Sequence, residues 1–308
     1  MPCTPGSIDL HTHSCFSDGT CTPAEILALA AENALGAVAL TDHDTTAGIP
    51  EFLESARNFP QLQAIPGVEL STRYGARELH IVGLFIDHTD PVIQEYLAQE
   101  RARRLKRNRD MKVKLALLGY PLDDDEPAFT AAGGMGANLG RPHFAQALME
   151  KYNFPDLRSV FDKLLGNNKA AYIPRETSSP REAISAIHAA GGLAVWAHPV
   201  YRDRNERAYV RRVARKLSAL GLDGIEGYYS LFGPPETQLV TEVAEQFDLV
   251  LSGGSDFHGE HSPNISIGCG AGKLNVPPVL LEKINERRSL RQCSLEQQDS
   301  GDKEITAI

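Results

Sequence analysis

Short runs of apolar residues recur along the chain, and segments with helical spacing lie between most of them. The runs cover residues 7–12, 37–41, 63–69, 79–86, 193–197, 222–228 and 248–253, and helical spacing occurs at 23–35, 50–58, 180–190, 206–220 and 235–246. Strands that alternate with helices predict an α/β fold with a largely parallel sheet. Seven such strands can close into a (β/α)7 barrel, with a hairpin where only a short polar turn separates 63–69 from 79–86.

Residues 99–169 interrupt this alternation. They open with a charged helix and contain a glycine-rich turn at 133–136 and helical patterns near 143–151 and 156–165. The sequence therefore predicts a barrel built from residues 1–98 and 170–290 and a helical insertion at 99–169. Residues 291–308 are polar and aperiodic, which predicts a poorly ordered tail or an edge extension.

Composition narrows the class of protein. The 308 residues are 42% hydrophobic and 23% charged, which is typical of a globular chain. A net charge of −9 disfavours a protein that coats nucleic acid non-specifically. Without a signal peptide or a long apolar run, we expect a cytoplasmic protein with no membrane partner and no obligate protein partner. The five cysteines lack a CxxC pair, so we expect neither a disulfide framework nor a thiolate zinc site.

Histidines and carboxylates lie at the ends of the predicted strands or near them. The set comprises His11, His13, Asp18, His43, Glu69, His80, His198, Asp256 and His258. Because active sites of parallel barrels form where the carboxyl ends of the strands meet, we expect these side chains to converge. Nine ligands exceed the shell of one ion, so the sequence predicts two or three divalent metal ions of the zinc, manganese or iron type.

These residues stand in motifs that resemble the PHP family (polymerase and histidinol phosphatase). The motifs are His11-x-His13, Asp18-Gly19, Thr41-Asp42-His43-Asp44, Gly67-Val68-Glu69, Leu79-His80, Ala197-His198-Pro199 and Ser255-Asp256-x-His258. The resemblance implies a distorted seven-stranded barrel. It also implies one ion on His11, His13, Glu69 and Asp256, a second on Glu69, His80 and His198, and a third on Asp18, His43 and His258. Asp18 replaces a histidine of some histidinol phosphatases, and this extra oxygen ligand favours manganese, with zinc and iron as alternatives.

The insertion resembles one branch of that family, which removes phosphate from nucleoside 3′,5′-bisphosphates. The matching motifs are Arg104-x-x-Arg107-Asn108 and Gly140-Arg141-Pro142-His143. The resulting candidates for substrate binding are Arg104, Arg107, Asn108, Arg141, His143 and Ser178, with Lys169 and Arg175 as weaker ones. The alternative for the basic run 101–109 is a solvated helix face. Tyr228 and Tyr229 are candidates for base stacking, with packing as the alternative.

We therefore expect a metal-dependent phosphomonoesterase that releases the 3′-phosphate of a small nucleotide such as adenosine 3′,5′-bisphosphate. Asp18, Glu69 and Asp256 are the expected catalytic carboxylates, and hydroxide between the ions that Glu69 bridges is the expected nucleophile. One alternative is a 5′–3′ exonuclease on short oligonucleotides, which some relatives in this branch are. A histidinol phosphatase is disfavoured by the basic insertion, and a non-catalytic accessory module by the intact ligand set.

Overall fold

The computed structural model describes residues 3–75, 77–131, 139–200 and 206–305. Seven strands form one sheet in chain order. They are β1 (Ile8–Asp9), β2 (Ala37–Leu40), β3 (Gln63–Tyr74), β4 (Arg77–Leu84), β5 (Leu193–Trp196), β6 (Gly224–Tyr229) and β7 (Val250–Gly254). The predicted α/β fold with a seven-stranded barrel is confirmed.

Most neighbouring strands are parallel, and β4 is the exception. It runs antiparallel to both β3 and β5, so β3 and β4 form the hairpin that the short polar turn predicts. Pairing with β4 carries β3 on to Tyr74, beyond the end at residue 69 that the apolar run predicts. Backbone hydrogen bonds from Leu10 to Gly253 and from Asp256 to His11 join β1 to the segment around β7, which nearly closes the barrel.

Ten α-helices occur in the described part of the chain. They are α1 (Pro23–Glu32), α2 (Ile49–Ser55), α3 (Pro91–Leu117), α4 (Pro127–Ala131), α5 (Arg141–Tyr152), α6 (Leu157–Val160), α7 (Pro180–Ala189), α8 (Glu206–Ser218), α9 (Pro234–Gln246) and α10 (Val279–Ile305). Thr22 and Ser179 begin α1 and α7 with reciprocal capping boxes and a proline in the first turn. Within the described residues, no helix is both long enough and apolar enough to cross a bilayer.

The barrel interior is filled by apolar side chains and is closed at one end by α10. Ile8, Leu10, Ile65 and other strand residues form one buried cluster with Leu280 and Ile284 of this helix. The helix continues to Ile305, through residues where the polar sequence predicts a poorly ordered tail or an edge extension. Residues 306–308 lie outside the described part of the chain. The first turns of α10 pack against the barrel, and this packing stabilises a helix that the polar sequence alone does not indicate.

The insertion has its own apolar core. Phe129 and Phe144 lie with ring centroids 4.7 Å apart among buried residues of α3 to α6, including Met111 and Leu148. Its first helix, α3, begins at Pro91, before the predicted boundary at 99. The predicted glycine-rich turn at 133–136 lies outside the described residues.

One covalent link corrects the expectation from cysteine spacing. Cys3 and Cys269 are joined by a disulfide. Cys3 precedes β1 and Cys269 follows β7, and closure of the barrel brings these two segments together. Spacing along the chain does not reveal such a pair because 266 residues separate its members.

Candidate metal centre

Glu69 occupies the centre of the barrel mouth. It lies midway along β3 and is fully buried. Its Oε2 atom lies 3.3 Å from Nε2 of both His11 and His13. Its Oε1 atom lies 3.0 Å from Nδ1 of His80 and 3.1 Å from Nε2 of His198. One carboxylate therefore faces two sets of imidazoles through its two oxygens.

Two aspartates complete the cluster. Oδ1 of Asp256 lies 3.2 Å from Nε2 of His13. Oδ1 of Asp18 lies 3.3 Å from Nε2 of His258, and its Oδ2 lies 3.8 Å from Nε2 of His43. The structure thus brings together all nine residues that the sequence selects as metal ligands.

Three groups of side chains have ligand atoms that all lie within 4.8 Å of one another. They are His11–His13–Glu69–Asp256, His13–Asp18–His43–His258 and His43–Glu69–His80. The first equals one ligand set implied by the resemblance. The other two groups differ from the remaining implied sets. His43 belongs to both groups, and His198 approaches Glu69 but belongs to neither.

Several buried ligand atoms approach their neighbours without forming a hydrogen bond. Within the described residues these include Nε2 of His11, both ring nitrogens of His13 and Oε2 of Glu69. An unsatisfied buried polar group costs about 1–3 kcal/mol, so a cluster of them is unusual. Imidazole and carboxylate donors that converge in this way suit divalent ions such as manganese, zinc or iron.

The charges of the cluster also favour cation binding. Burial alone lowers the pKa of His13, but Asp256 and Glu69 outweigh it and raise this pKa to about 10. Burial likewise opposes protonation of His80, whose pKa Glu69 raises to about 10. Burial raises the pKa of Glu69, yet the surrounding imidazoles, led by His43, hold it well below its usual range. The carboxylates thus favour positive charge at the mouth. Bound metal ions would supply that charge in place of protons.

Two ligand residues have left-handed backbone conformations. His198 has φ 30° and Asp256 has φ 56°, and Asp44, next to the ligand His43, has φ 50°. Such residues cost about 1–3 kcal/mol each and cluster at functional sites. The fold therefore keeps an unfavourable backbone where these side chains turn into the mouth.

Two residues that hold the ligands in place were not predicted in this role. Glu226 places Oε1 3.1 Å from Nδ1 of His11, and its Oε2 accepts a 2.6 Å hydrogen bond from the backbone N–H of His198. Tyr229 donates a 2.9 Å hydrogen bond to Oδ2 of Asp256, a contact that the expectation of base stacking does not include. A carboxylate on the outer nitrogen of a metal-binding imidazole fixes its tautomer and orientation. The only signal for Glu226 in the sequence is an acid within an apolar strand.

An arginine pair lies beside the cluster. Arg104 and Arg175 both donate to Oδ2 of Asp44, whose other oxygen accepts from the backbone N–H of Ser71. Burial raises the pKa of Asp44, but the two guanidinium groups outweigh burial and hold it below its usual range. Among described residues, Nε of Arg104 and Nε of Arg175 have no hydrogen-bond partner. Charged donors of this kind are chemically suited to an anion.

The basic run 101–109 divides between two faces of α3. Arg104 and Arg107 are buried towards the barrel, while Arg101 and Arg109 are exposed. The exposed face matches the alternative of a solvated helix face, and the buried face places Arg104 against Asp44. Burial, together with Arg141 and the other nearby arginines, lowers the pKa of Arg107 to about 10, which shows how crowded the positive charge is.

The remaining predicted substrate-binding residues fall into two classes. His143 lines a cavity of about 30 Å³ together with Asp18, His43 and Arg104. Nδ1 of His143 accepts a hydrogen bond from the backbone N–H of Gly140, so Nε2 carries its proton.

Asn108, Ser178 and Arg141 form hydrogen bonds with other residues of the protein. Asn108 is buried and donates to the carbonyl of Leu139, and Ser178 hydrogen-bonds Glu100 at 2.8 Å. Arg141 donates to the carbonyl of Leu165 and to Asn167. In the described structure these contacts tie the insertion to itself and to the barrel.

A barrel mouth that gathers acid–histidine groups beside an arginine pair defines a metal-dependent hydrolase of phosphate esters. A sequence model described as the PHP domain matches residues 9–174, and the chain belongs to the PHP family. The predicted resemblance is therefore confirmed, as is the prediction of a hydrolase that acts on phosphoric ester bonds.

Two of the similar proteins carry different names. The chain is 38% identical over 261 residues to the 5′-3′ exoribonuclease Rnm of Salmonella typhimurium, covering 84% of this chain and 87% of that protein. It is 35% identical over 278 residues to the 3′,5′-nucleoside bisphosphate phosphatase of Chromobacterium violaceum, covering 89% and 93%. A crystal structure from Bifidobacterium adolescentis, described as a candidate metal-dependent phosphoesterase, superposes with a TM-score of 0.78 at 30% identity, covering 93% of this chain and 98% of that one.

Proposed function

We propose that this phosphoesterase hydrolyses the 3′-phosphate of nucleoside 3′,5′-bisphosphates, such as adenosine 3′,5′-bisphosphate. The supporting observation is that two environments for anions adjoin. The acid–histidine cluster and the arginine pair share the segment His43–Asp44, and one small cavity is lined from both sides. A substrate with two phosphates can place one at each.

The first environment holds the phosphate to be cleaved. Two or three divalent ions would be held there by the nine clustered side chains, with His11, His13, Glu69 and Asp256 as one set. Such ions supply charge neutralisation for phosphate oxygens and a nucleophile at neutral pH. We favour manganese because Asp18 adds an oxygen ligand, and elemental analysis of the purified protein would decide between manganese, zinc and iron.

The second environment recognises the other phosphate. The Nε donors of Arg104 and Arg175 suit a phosphate oxygen because both carry full positive charge. Asp44 fixes the two guanidinium groups against the mouth. His143 presents its Nε2–H to the same cavity as a neutral donor, since burial lowers its pKa.

A second candidate function is 5′–3′ exonuclease activity on short oligonucleotides. It is favoured by a groove of about 890 Å³ that leads away from the cluster. This volume is near the upper end of the range of about 300–1,000 Å³ for small-molecule sites, so the groove can hold a group larger than a phosphate. The name of the Salmonella typhimurium relative points the same way. Both activities use the same phosphorus chemistry, so they differ only in the group that is attached beyond the phosphate.

The test is a phosphate-release screen of the manganese-loaded protein. The panel contains adenosine 3′,5′-bisphosphate, adenosine 3′-monophosphate, adenosine 5′-monophosphate and adenosine 2′-monophosphate. We expect the bisphosphate to be the best substrate, with AMP carrying the 5′-phosphate as product, and we expect chelation to abolish turnover. Equal kcat/KM for the bisphosphate and the 3′-monophosphate would overturn the proposal, as would full activity after exhaustive chelation.

A further inference from the structure

The ligands of the metal centre come from both sides of the seam where the barrel closes between β1 and β7. His11 and His13 follow β1, whereas Asp256 and His258 follow β7. The β1 strand is two residues long and pairs in register with β2. The chain beyond it meets the other side of the seam through separate backbone hydrogen bonds, one of which runs from Asp256 to His11. A change at the seam therefore moves the two histidines relative to Asp256.

Asp9 links the two sides of the seam through its side chain, which is fully buried. Its Oδ1 atom accepts hydrogen bonds from the backbone N–H of Ser255 at 2.8 Å and of His11 at 3.3 Å. Its Oδ2 atom accepts a hydrogen bond from the backbone N–H of Gly268 at 2.7 Å. Ser255 directly precedes a metal ligand, and Gly268 directly precedes Cys269. One carboxylate thus ties both metal-binding segments to the segment that carries this cysteine.

The disulfide between Cys3 and Cys269 spans the same seam covalently, because one cysteine lies before β1 and the other after β7. Both cysteines pack in one apolar cluster with Phe257. The carbonyl of Phe257 accepts a hydrogen bond from the backbone N–H of the ligand His13 at 2.9 Å. The disulfide is therefore connected to the metal centre by two routes, one through Asp9 and one through Phe257.

The bond is covered, but the segment beside it is not. Cys3 and Cys269 are 9% and 7% exposed, whereas residues 4–6, which lead from Cys3 towards β1, are exposed. Local opening of an exposed segment costs less free energy than global unfolding. Because the rate of thiol–disulfide exchange depends on access, such an opening permits attack on the bond.

We propose that the Cys3–Cys269 disulfide is a redox-controlled cross-link that governs how long the metal centre keeps its ions. The disulfide form holds the two ligand segments together, and the dithiol form lets the seam open and release metal faster. The reductant is a dithiol. Its two sulfurs join in a new S–S bond, the bond between the cysteines breaks, and both hydrogens pass to Cys3 and Cys269. This inference concerns metal retention and does not depend on which phosphate ester the protein cleaves.

The experiment measures manganese release from the metal-loaded full chain in its two redox states. A phosphine reductant converts the disulfide to two thiols and takes up an oxygen atom from water. Thiol titration should count three free cysteines before this treatment and five after it. We expect excess chelator to remove manganese about tenfold faster from the reduced protein, which is the lower end of the range of about 10–100-fold for loss of an outer partner. Metal analysis of the desalted protein at successive times gives the rate.

Three variants test the route to the metal centre. Cys3→Ser lacks the bond in both conditions and should release manganese like the reduced wild type, with or without reductant. Cys293→Ser is the matched control, because it removes an exposed free cysteine, and it should keep the tenfold response. Asp9→Asn replaces one acceptor oxygen with an N–H donor and should release metal fast in both redox states.

Each outcome decides for or against the cross-link. Equal release rates of the oxidised and reduced wild type overturn the inference, even if reduction lowers the melting temperature, because the bond then stabilises the fold alone. Five free thiols after incubation with glutathione disulfide overturn it too. A protein that holds no manganese in either state overturns both this inference and the metal centre. The expected release rates without turnover of adenosine 3′,5′-bisphosphate overturn the proposed function and leave the cross-link standing.

Discussion

The carboxylate of Glu226 lies 3.1 Å from Nδ1 of His11, on the side of the ring that faces away from Glu69. This contact directs Nε2 towards the cluster. Because loss of such a partner typically costs 10–100-fold in metal affinity, we expect Glu226→Ala to weaken metal binding by about that factor. Calorimetric titration of the metal-free protein with manganese measures it.

The conservative variant distinguishes orientation from mere packing. Glu226→Gln keeps an oxygen that can accept from Nδ1 of His11 and should recover part of the affinity. Glu245→Ala, an exposed acid on α9, is the matched control and should bind manganese like the wild type. Equal affinities of the wild type and Glu226→Ala would contradict the role given to Glu226.

Removal of one cluster residue should abolish turnover. His13 contributes to two of the three ligand groups and Asp256 to one. We therefore expect His13→Ala and Asp256→Ala to lower bound metal and to reduce kcat/KM by more than the 100-fold that marks loss of an outer partner. Elemental analysis and phosphate release measure the two effects. His88→Ala, a half-buried histidine outside the cluster, should keep both values, and wild-type turnover in the cluster variants would exclude this site.

The arginine pair predicts a specific loss in substrate binding. Arg104→Ala removes one charged donor, and hydrogen bonds to charged groups contribute about 1.5–3 kcal/mol. We expect the KM for adenosine 3′,5′-bisphosphate to rise about 10- to 150-fold, and the preference over the 3′-monophosphate to fall. Arg101→Ala removes the same charge from the exposed face of α3 and should change neither value. A purely catalytic defect, with kcat lowered and KM unchanged, would contradict the assignment.

Asp44 predicts how stability changes with pH. Burial works against its ionisation, but Arg175 and Arg104 hold its pKa below the value of about 3.9 expected in the unfolded chain. A depressed carboxylate pKa contributes stability that is present above the unfolded value and is lost as the pH falls through the folded value. We expect Asp44→Asn to lose about 3–5 kcal/mol at neutral pH, because two guanidinium groups lose their partner.

Urea unfolding of the metal-free protein at a series of pH values measures this effect. The gap between the wild type and Asp44→Asn should narrow as the pH falls below about 4, where Asp44 takes up a proton in the unfolded chain but not yet in the folded protein. Asp110→Asn, which removes an exposed partner of Lys106, is the control and should cost less than about 1 kcal/mol. A gap that is constant down to acid pH would contradict the coupling.

The separate core of the insertion predicts local unfolding. Phe129→Ala removes a fully buried ring and should cost about 3–5 kcal/mol. Because its neighbours belong to the insertion, we expect faster limited proteolysis within 99–169 while the barrel keeps its bound metal. Val113→Ala, at an exposed position of α3, is the control. Simultaneous loss of metal and of the insertion would show that residues 99–169 do not form a unit of their own.

The barrel was predictable because its strands are short apolar runs with clear ends. The convergence of His11, Glu69 and His198 was also predictable, since barrel topology brings strand ends to one mouth. The extent of β3 was not, because Tyr74 is ordered by pairing with Arg77 across the hairpin rather than by an apolar pattern. Tertiary contacts of this kind leave no local signal.

For the same reason, the sequence did not reveal the contacts that two predicted substrate-binding residues make within the protein. Asn108 and Ser178 stand in motifs or positions that favour substrate binding, yet their partners are Leu139 and Glu100. Spacing shows which residues share a helix face but not what lies opposite that face. Helix α10 was not predictable for a related reason. Its first turns pack against the barrel, and the polar sequence does not show this contact.

The left-handed backbone at His198 and Asp256 has an evolutionary consequence. Glycine at either position relieves the strain and removes a half-buried imidazole or carboxylate at the same time. Inactivating substitutions there should therefore leave a folded, long-lived protein rather than one that is degraded. Quality control in the cell would not eliminate such variants, so only selection for the reaction itself can keep these two residues in place.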